Sequence, residues 1–109
     1  MSEYAKVIPK YVFRGTGTPI KQWLAKHPRF RRLIIRNMHL ILVKIRTRFP
    51  SFRHMDLHAC NVFYESGRLK LSHFEHARMD LTVPVDYDMK TFIESLEESA
   101  ADIARRLTS

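Results

Sequence analysis

The stretch Arg53–Glu75, RHMDLHACNVFYESGRLKLSHFE, concentrates His54, Asp56, His58, Cys60, Asn61, His73 and Glu75 in one short run. Three chemistries are open to such a run: a phosphate-transfer loop, a metal site, or an ordinary hairpin with polar decoration. A zinc site would draw on His54, His58, Cys60, His73 and His76, which are suitable ligand types. Their order, H-x-x-x-H-x-C and then H-x-x-H across a hairpin, matches no standard zinc spacing. Cys60, the single cysteine, reads as a small buried residue rather than a nucleophile. No Ser-His-Asp or Cys-His arrangement is supported by spacing. His54 reads as a packed, hydrogen-bonded core histidine.

The elements that must position this run are legible from periodicity. Ala5–Phe13 is rich in β-branched and aromatic residues and predicts an extended segment, with Pro9 forcing an edge or a break. After the turn RGTGTP, Thr18 is placed as the N-cap and Pro19 as the first residue of a short helix reaching about Lys26, stopped by His27-Pro28. From Arg29 to Phe49, Phe30, Ile34, Met38, Ile41, Ile45 and Phe49 recur at helical spacing, and Ile35 and Leu42 widen the stripe. Arg29, Arg32, Arg36, His39 and Arg46 are expected on the opposite side, and Pro50 ends the helix. VFYE, then Ser66-Gly67, then RLKLS predicts a β-hairpin that starts after Asn61 and ends near His73. From Asp86 onward Phe92, Leu96, Ala100, Ile103 and Leu107 predict a second amphipathic helix. Asp86 and Asp88 at its start, with Arg105 and Arg106 at its end, suit the helix dipole. Trp23, near Ile20 and Leu24, is expected in the core.

With the loop between a long helix and a hairpin, His54-x-Asp56-Leu57-x-x-x-Asn61 resembles the catalytic loop of the protein-kinase-like superfamily, with Met55 where that family has Arg. GRLKLSHFEHARM resembles the family's metal-binding segment, and KYVFRGTGTPIKQWL resembles its hinge and the helix after it. His58 and Glu75 are similar to variants in choline- and aminoglycoside-type kinases. The resemblance implies a single α+β, mainly α domain over 1–109: a partial kinase-like C-lobe with a long central helix, a catalytic-type loop, a small hairpin and a C-terminal helix. It implies Asp56 as the base that takes the substrate hydroxyl proton and Asn61 as a magnesium ligand. Asp86 or Asp88 is implied as the acid that tethers the loop.

Departures from the pattern point away from catalysis. His73 stands at the main magnesium position, where a nitrogen ligand is poor. Glu75 is the only nearby substitute. The chain carries no glycine-rich nucleotide loop and no strand with the family's phosphate-binding lysine, so the N-terminal lobe is expected to be missing. Losing those groups removes rate on the order of a thousand-fold or more. No cofactor is therefore expected, with Mg-ATP implied only for an active enzyme. The expected role is a degenerate, pseudokinase-type module acting by protein–protein contact or self-association at the face left by the absent lobe, around Val7, Tyr11, Val12 and Phe13. The alternative is a residual phosphotransferase using Asp56, with Asn61, His73 or Glu75 at the metal.

Composition bounds the partners. A net charge of +8 on 109 residues attracts polyanions. Arg29, Arg32, Arg36 and Arg46 form the candidate phosphate stripe of a basic nucleic-acid-binding or structural assembly protein. The apolar run Leu33–Ile45 is interrupted by Arg36, Asn37, His39 and Lys44, too short and too charged to span a bilayer. One cysteine permits no intrachain disulfide, and Met1–Lys10 lacks a signal peptide's apolar run. The expectation is an intracellular protein, cytoplasmic, nuclear or carried in a virion, not secreted and not in a membrane.

Overall fold

The computed structural model describes residue 6, residues 8–98 and residue 105. Its regular elements are α1 (Ile20–Lys26), α2 (Arg31–Arg48) and α3 (Tyr87–Glu97), with the short strands β1 (Thr18–Pro19), β2 (Phe52–Arg53), β3 (Val62–Glu65), β4 (Arg68–Leu71) and β5 (Arg78–Met79). This is a compact α+β arrangement.

The apolar stripe of α2 behaves as its spacing requires. Ile34, Met38, Ile41, Leu42 and Ile45 are buried along one side and carry the centre of the core. The helix begins two residues later than expected. Pro28 disfavours helical backbone at His27, and Pro28–Phe30 winds instead as a 3₁₀ turn. Its last bond runs from the Phe49 amide to the Ile45 carbonyl at 2.9 Å, just before Pro50.

The hairpin joins β3 and β4 with Val62 opposite Leu71 and Glu65 opposite Arg68. Ser66 and Gly67 have φ of 51° and 80°, the pair of positive values that a tight hairpin of this twist requires. On the other edge of β3, Thr18 and Pro19 pair with Tyr64 and Phe63, giving the order β1-β3-β4. This corrects the expected N-cap: Thr18 belongs to the sheet, Pro19 precedes the helix, and no side chain caps α1. Trp23 is half-buried rather than central, stacked against Tyr64 and His27 at 4.3 Å from each ring.

The extended N-terminal segment is also corrected. Pro9–Tyr11 is a 3₁₀ turn, Val12 makes a parallel bridge to Leu71, and the Phe13 amide donates to the Leu71 carbonyl at 2.9 Å. Tyr11 and Val12 are buried, and Phe13 stacks on Phe63 with 3.7 Å between ring centres. The chain thus covers these apolar residues itself, and they form no exposed patch; Val7 lies outside the described residues.

A second ribbon pairs β2 with β5, Phe52 opposite Met79 and Arg53 opposite Arg78. It closes the loop at its base. α3 follows, burying Asp88, Phe92 and Ser95. Lys21 donates to the Ser95 carbonyl at 3.1 Å and to that of Glu98, satisfying carbonyls at the helix end. The expected continuation through Ala100, Ile103, Arg106 and Leu107 falls outside the described residues.

Candidate functional site

The loop between β2 and β3 is held from below by one carboxylate. Asp88, in the first turn of α3 and fully buried, accepts the His54 amide at 2.8 Å on Oδ2 and the Met55 amide at 3.0 Å on Oδ1. Arg46 Nη2 lies 3.5 Å from the same carboxylate. Successive amides converge on one acid because Met55 adopts a left-handed backbone, φ 73°, an unfavourable conformation held in place by the two bonds. Of the two candidate tethers, Asp88 takes the position. Asp86 stays exposed and pairs with Lys90 at 3.4 Å.

Two histidines shape the loop with the same bonding pattern. His54 Nδ1 accepts the Asp56 amide at 3.2 Å, so the ring proton sits on Nε2 and is donated to the Ser72 carbonyl at 2.9 Å. Burial pushes the His54 imidazole below its ordinary value, against the upward pull of Asp88, the Ser72 carbonyl, Asp56 and Glu75. His58 Nδ1 accepts the Cys60 amide at 3.1 Å, and its Nε2 lies 2.7 Å from Glu98 Oε2. His58 is almost wholly buried and both ring nitrogens are engaged, so in this structure it braces the loop against the residue that follows α3.

Asn61 closes the loop on itself. Its Nδ2 donates to the Asp56 carbonyl at 2.8 Å, and its own carbonyl accepts the Ser72 amide at 2.9 Å. Asn61 Oδ1 faces Cys60 Sγ at 3.8 Å. The Asp56 carboxylate is half-buried, and among the described residues none donates a hydrogen bond to it. One loop thereby brings together His54, Asp56 and Asn61, with a carboxylate left uncommitted.

The segment after the hairpin differs. His73 has a left-handed backbone, φ 59°, and an exposed ring whose Nδ1 lies 3.3 Å from Glu75 Oε1. The Glu75 carboxyl is held below its usual range, first by its own backbone amide and further by His73 and His76. Magnesium prefers several oxygens in near-octahedral order. Here it would find Asn61 Oδ1 and the Asp56 carboxylate, a nitrogen at His73, and a Glu75 paired with that imidazole. This set does not fit magnesium well. For zinc, no group of three or more His, Cys, Asp or Glu side chains converges among the described residues.

The phosphate stripe is split. Arg29, Arg32 and Arg36 are exposed as expected, but Arg46 turns inward to Asp88 and to the Phe52 carbonyl at 3.3 Å. The correction has a simple cause: a fully buried carboxylate requires a nearby cation. Sequence reasoning missed Ser95, whose hydroxyl accepts the Ala59 amide at 2.8 Å and donates to the Phe92 carbonyl at 2.6 Å. A serine inside the apolar stripe of α3 was the available signal. It also missed Arg53, buried and bonded to the Val83 carbonyl at 3.0 Å and the Phe52 carbonyl at 2.8 Å. No helix among the described residues is long and apolar enough to cross a membrane. Comparison with protein-family models, with curated proteins and with solved structures finds no match to this chain.

Proposed function

We propose that this chain is a degenerate kinase-like lobe that has kept the loop as architecture and works by binding another protein, not by transferring phosphate. The observation that carries this reading is the contrast within one site. The bonds that shape the loop are intact: Asp88 to the His54 and Met55 amides, and Asn61 to the Asp56 carbonyl. The position that would hold the principal metal carries an imidazole paired with Glu75. The contact offered to a partner would be the polar edge formed by Asp56, His73 and Glu75. His54 joins the two segments: its Nδ1 accepts the Asp56 amide and its Nε2 reaches the carbonyl of Ser72, next to His73. The apolar residues Tyr11 and Val12 are already covered and do not serve as that surface.

One observation favours a second reading, a residual phosphotransferase. Asp56 keeps a carboxylate that no described residue hydrogen-bonds, as a base awaiting a hydroxyl would. Thermal unfolding with ATP and magnesium separates the two, because a ligand that binds only the folded chain raises its melting temperature by mass action. The binding-module reading expects no magnesium-dependent rise at about a thousand times a micromolar dissociation constant, a level that would otherwise add about 4 kcal/mol. A clear rise that needs magnesium, with phosphate transfer lost in Asp56→Ala, would overturn it in favour of the enzyme.

A further inference from the structure

The charged residues are unevenly distributed along the chain. No Asp or Glu occurs between Glu3 and Asp56, so α2 and everything before it in the described fold is free of acids. Thirteen of the nineteen Lys and Arg precede position 56, whereas ten of the eleven acids lie from Asp56 onward.

The exposed large apolar side chains follow the same division. On α2 they are Leu33, Leu40 and Val43, at 49%, 44% and 45% exposure, along the side opposite the core stripe. Arg29, Arg32, Arg36, Lys44 and Arg48 surround them, and none of these forms an ion pair with a described residue. The rest are Met79, Leu81 and Val85, which lead into α3, and Tyr87 and Ile93 on the helix itself. Leu81 is 77% exposed and Val85 is 61% exposed. This second patch carries Asp80, Asp86, Glu94 and Glu97 against Arg78 and Lys90; Arg78 pairs with Asp80, Lys90 with Asp86 and Glu97 with Arg31 of α2, so the patch is weakly negative, with Glu94 its acid outside any ion pair among the described residues.

We propose that the chain associates with copies of itself through unlike patches, the basic aliphatic face of α2 in one copy against the acidic aliphatic surface of residues 79–97 in the next. Each patch has an apolar centre, which rewards removal from water, and charges that choose the partner. Two α2 faces brought together would set arginine against arginine with no acid between them. A nucleic acid would match the charge, but Leu and Val offer bases no stacking surface. The complement for both apolarity and sign is present on the same molecule. Because the two patches differ, each copy has one of each to offer, to a single neighbour or to two. The inference rests on exposure and charge and stands apart from the lobe-like reading of the loop.

Sedimentation equilibrium on the purified chain tests it. The weight-average mass should rise above 12.9 kDa as concentration increases. The rise should shrink when salt goes from about 0.1 M to about 1 M, which shortens the screening length from about 10 Å to about 3 Å. Leu40→Glu and the double variant Leu81→Lys/Val85→Lys change exposed positions, so each should melt cooperatively near the parent temperature. Each alone should remain monomeric, and an equimolar mixture should recover 1:1 association, since one supplies the intact α2 face and the other the intact acidic surface. A parent chain that stays monomeric overturns the proposal, as does association indifferent to salt or undiminished in either variant alone. A monomeric chain whose Leu40 face instead captures RNA or an acidic polypeptide assigns that face elsewhere and overturns it equally.

Discussion

At the scale of single residues, position in the helix decides which of two similar acids matters. Asp86 and Asp88 both begin the α3 segment, and sequence reasoning left both open as the tether. The first turn of α3 points Asp88 inward, where it meets two loop amides and the Arg46 guanidinium. Asp88→Asn keeps the shape but removes the charge and one acceptor oxygen, leaving an amide unsatisfied and Arg46 unpaired. The expected cost is about 1–3 kcal/mol, read as a lower urea midpoint at unchanged slope. Asp86→Asn, exposed beside Lys90, should shift stability by no more than about 0.5 kcal/mol. Equal effects from the two variants would refute the tether. The candidate residues His54, Asp56 and Asn61 were legible because their spacing is local. The inward turn of Arg46 was not, since it depends on an acid forty-two positions later that no helical periodicity connects to it.

At the scale of elements, the long helix and the hairpin were legible because each repeats a local signal: apolar residues at steps of three and four, and Ser-Gly between alternating runs. The N-terminal segment was misjudged because its conformation is fixed by distant neighbours, Leu71 for Val12 and Tyr64 for Thr18. Two glycines show the difference between local and tertiary demands. Gly67 has φ of 80° with open space around it, so Gly67→Ala suffers backbone strain alone, about 1–2 kcal/mol. Gly17 sits where the chain enters β1, and a Cβ there would meet the Tyr64 carbonyl oxygen at 2.9 Å and Glu65 Cβ at 3.0 Å. Gly17→Ala must therefore push β1 away from β3 and should cost about 1–3 kcal/mol with altered amide signals in both strands. Disturbance confined to residues 16–18 would show that the sheet edge yields more easily than this packing implies.

At the scale of the whole molecule, stability should depend on pH through His54. Burial lowers the folded imidazole below its ordinary 6.5, so below that value the unfolded chain binds more protons than the folded one. The stability His54 contributes is then fully present above 6.5 and declines as pH falls toward the folded value. Urea midpoints taken from about pH 7.5 down to about pH 5.5 should fall, and His54→Gln should flatten the slope over that window. An identical slope in the variant would remove His54 from the account. The charge division between the two halves of the chain was open to inspection in the sequence from the start. Its meaning was not, because exposure of Leu33, Leu40 and Val43 is set by which side of α2 the core occupies.

The paired use of His54 and His58 has a consequence for how such a chain can change over generations. Both rings bind main-chain amides and carbonyl or carboxylate oxygens, and Asn61 binds a main-chain carbonyl, so the loop's shape depends little on what side chain stands at position 56. His73 and Glu75 lie at the surface, and the left-handed backbone at 73 is one that Asn and Asp adopt readily. The positions that would decide chemistry are thus among those the fold constrains least. Substitutions at 56, 73 and 75 can therefore accumulate without passing through an unfolded ancestor.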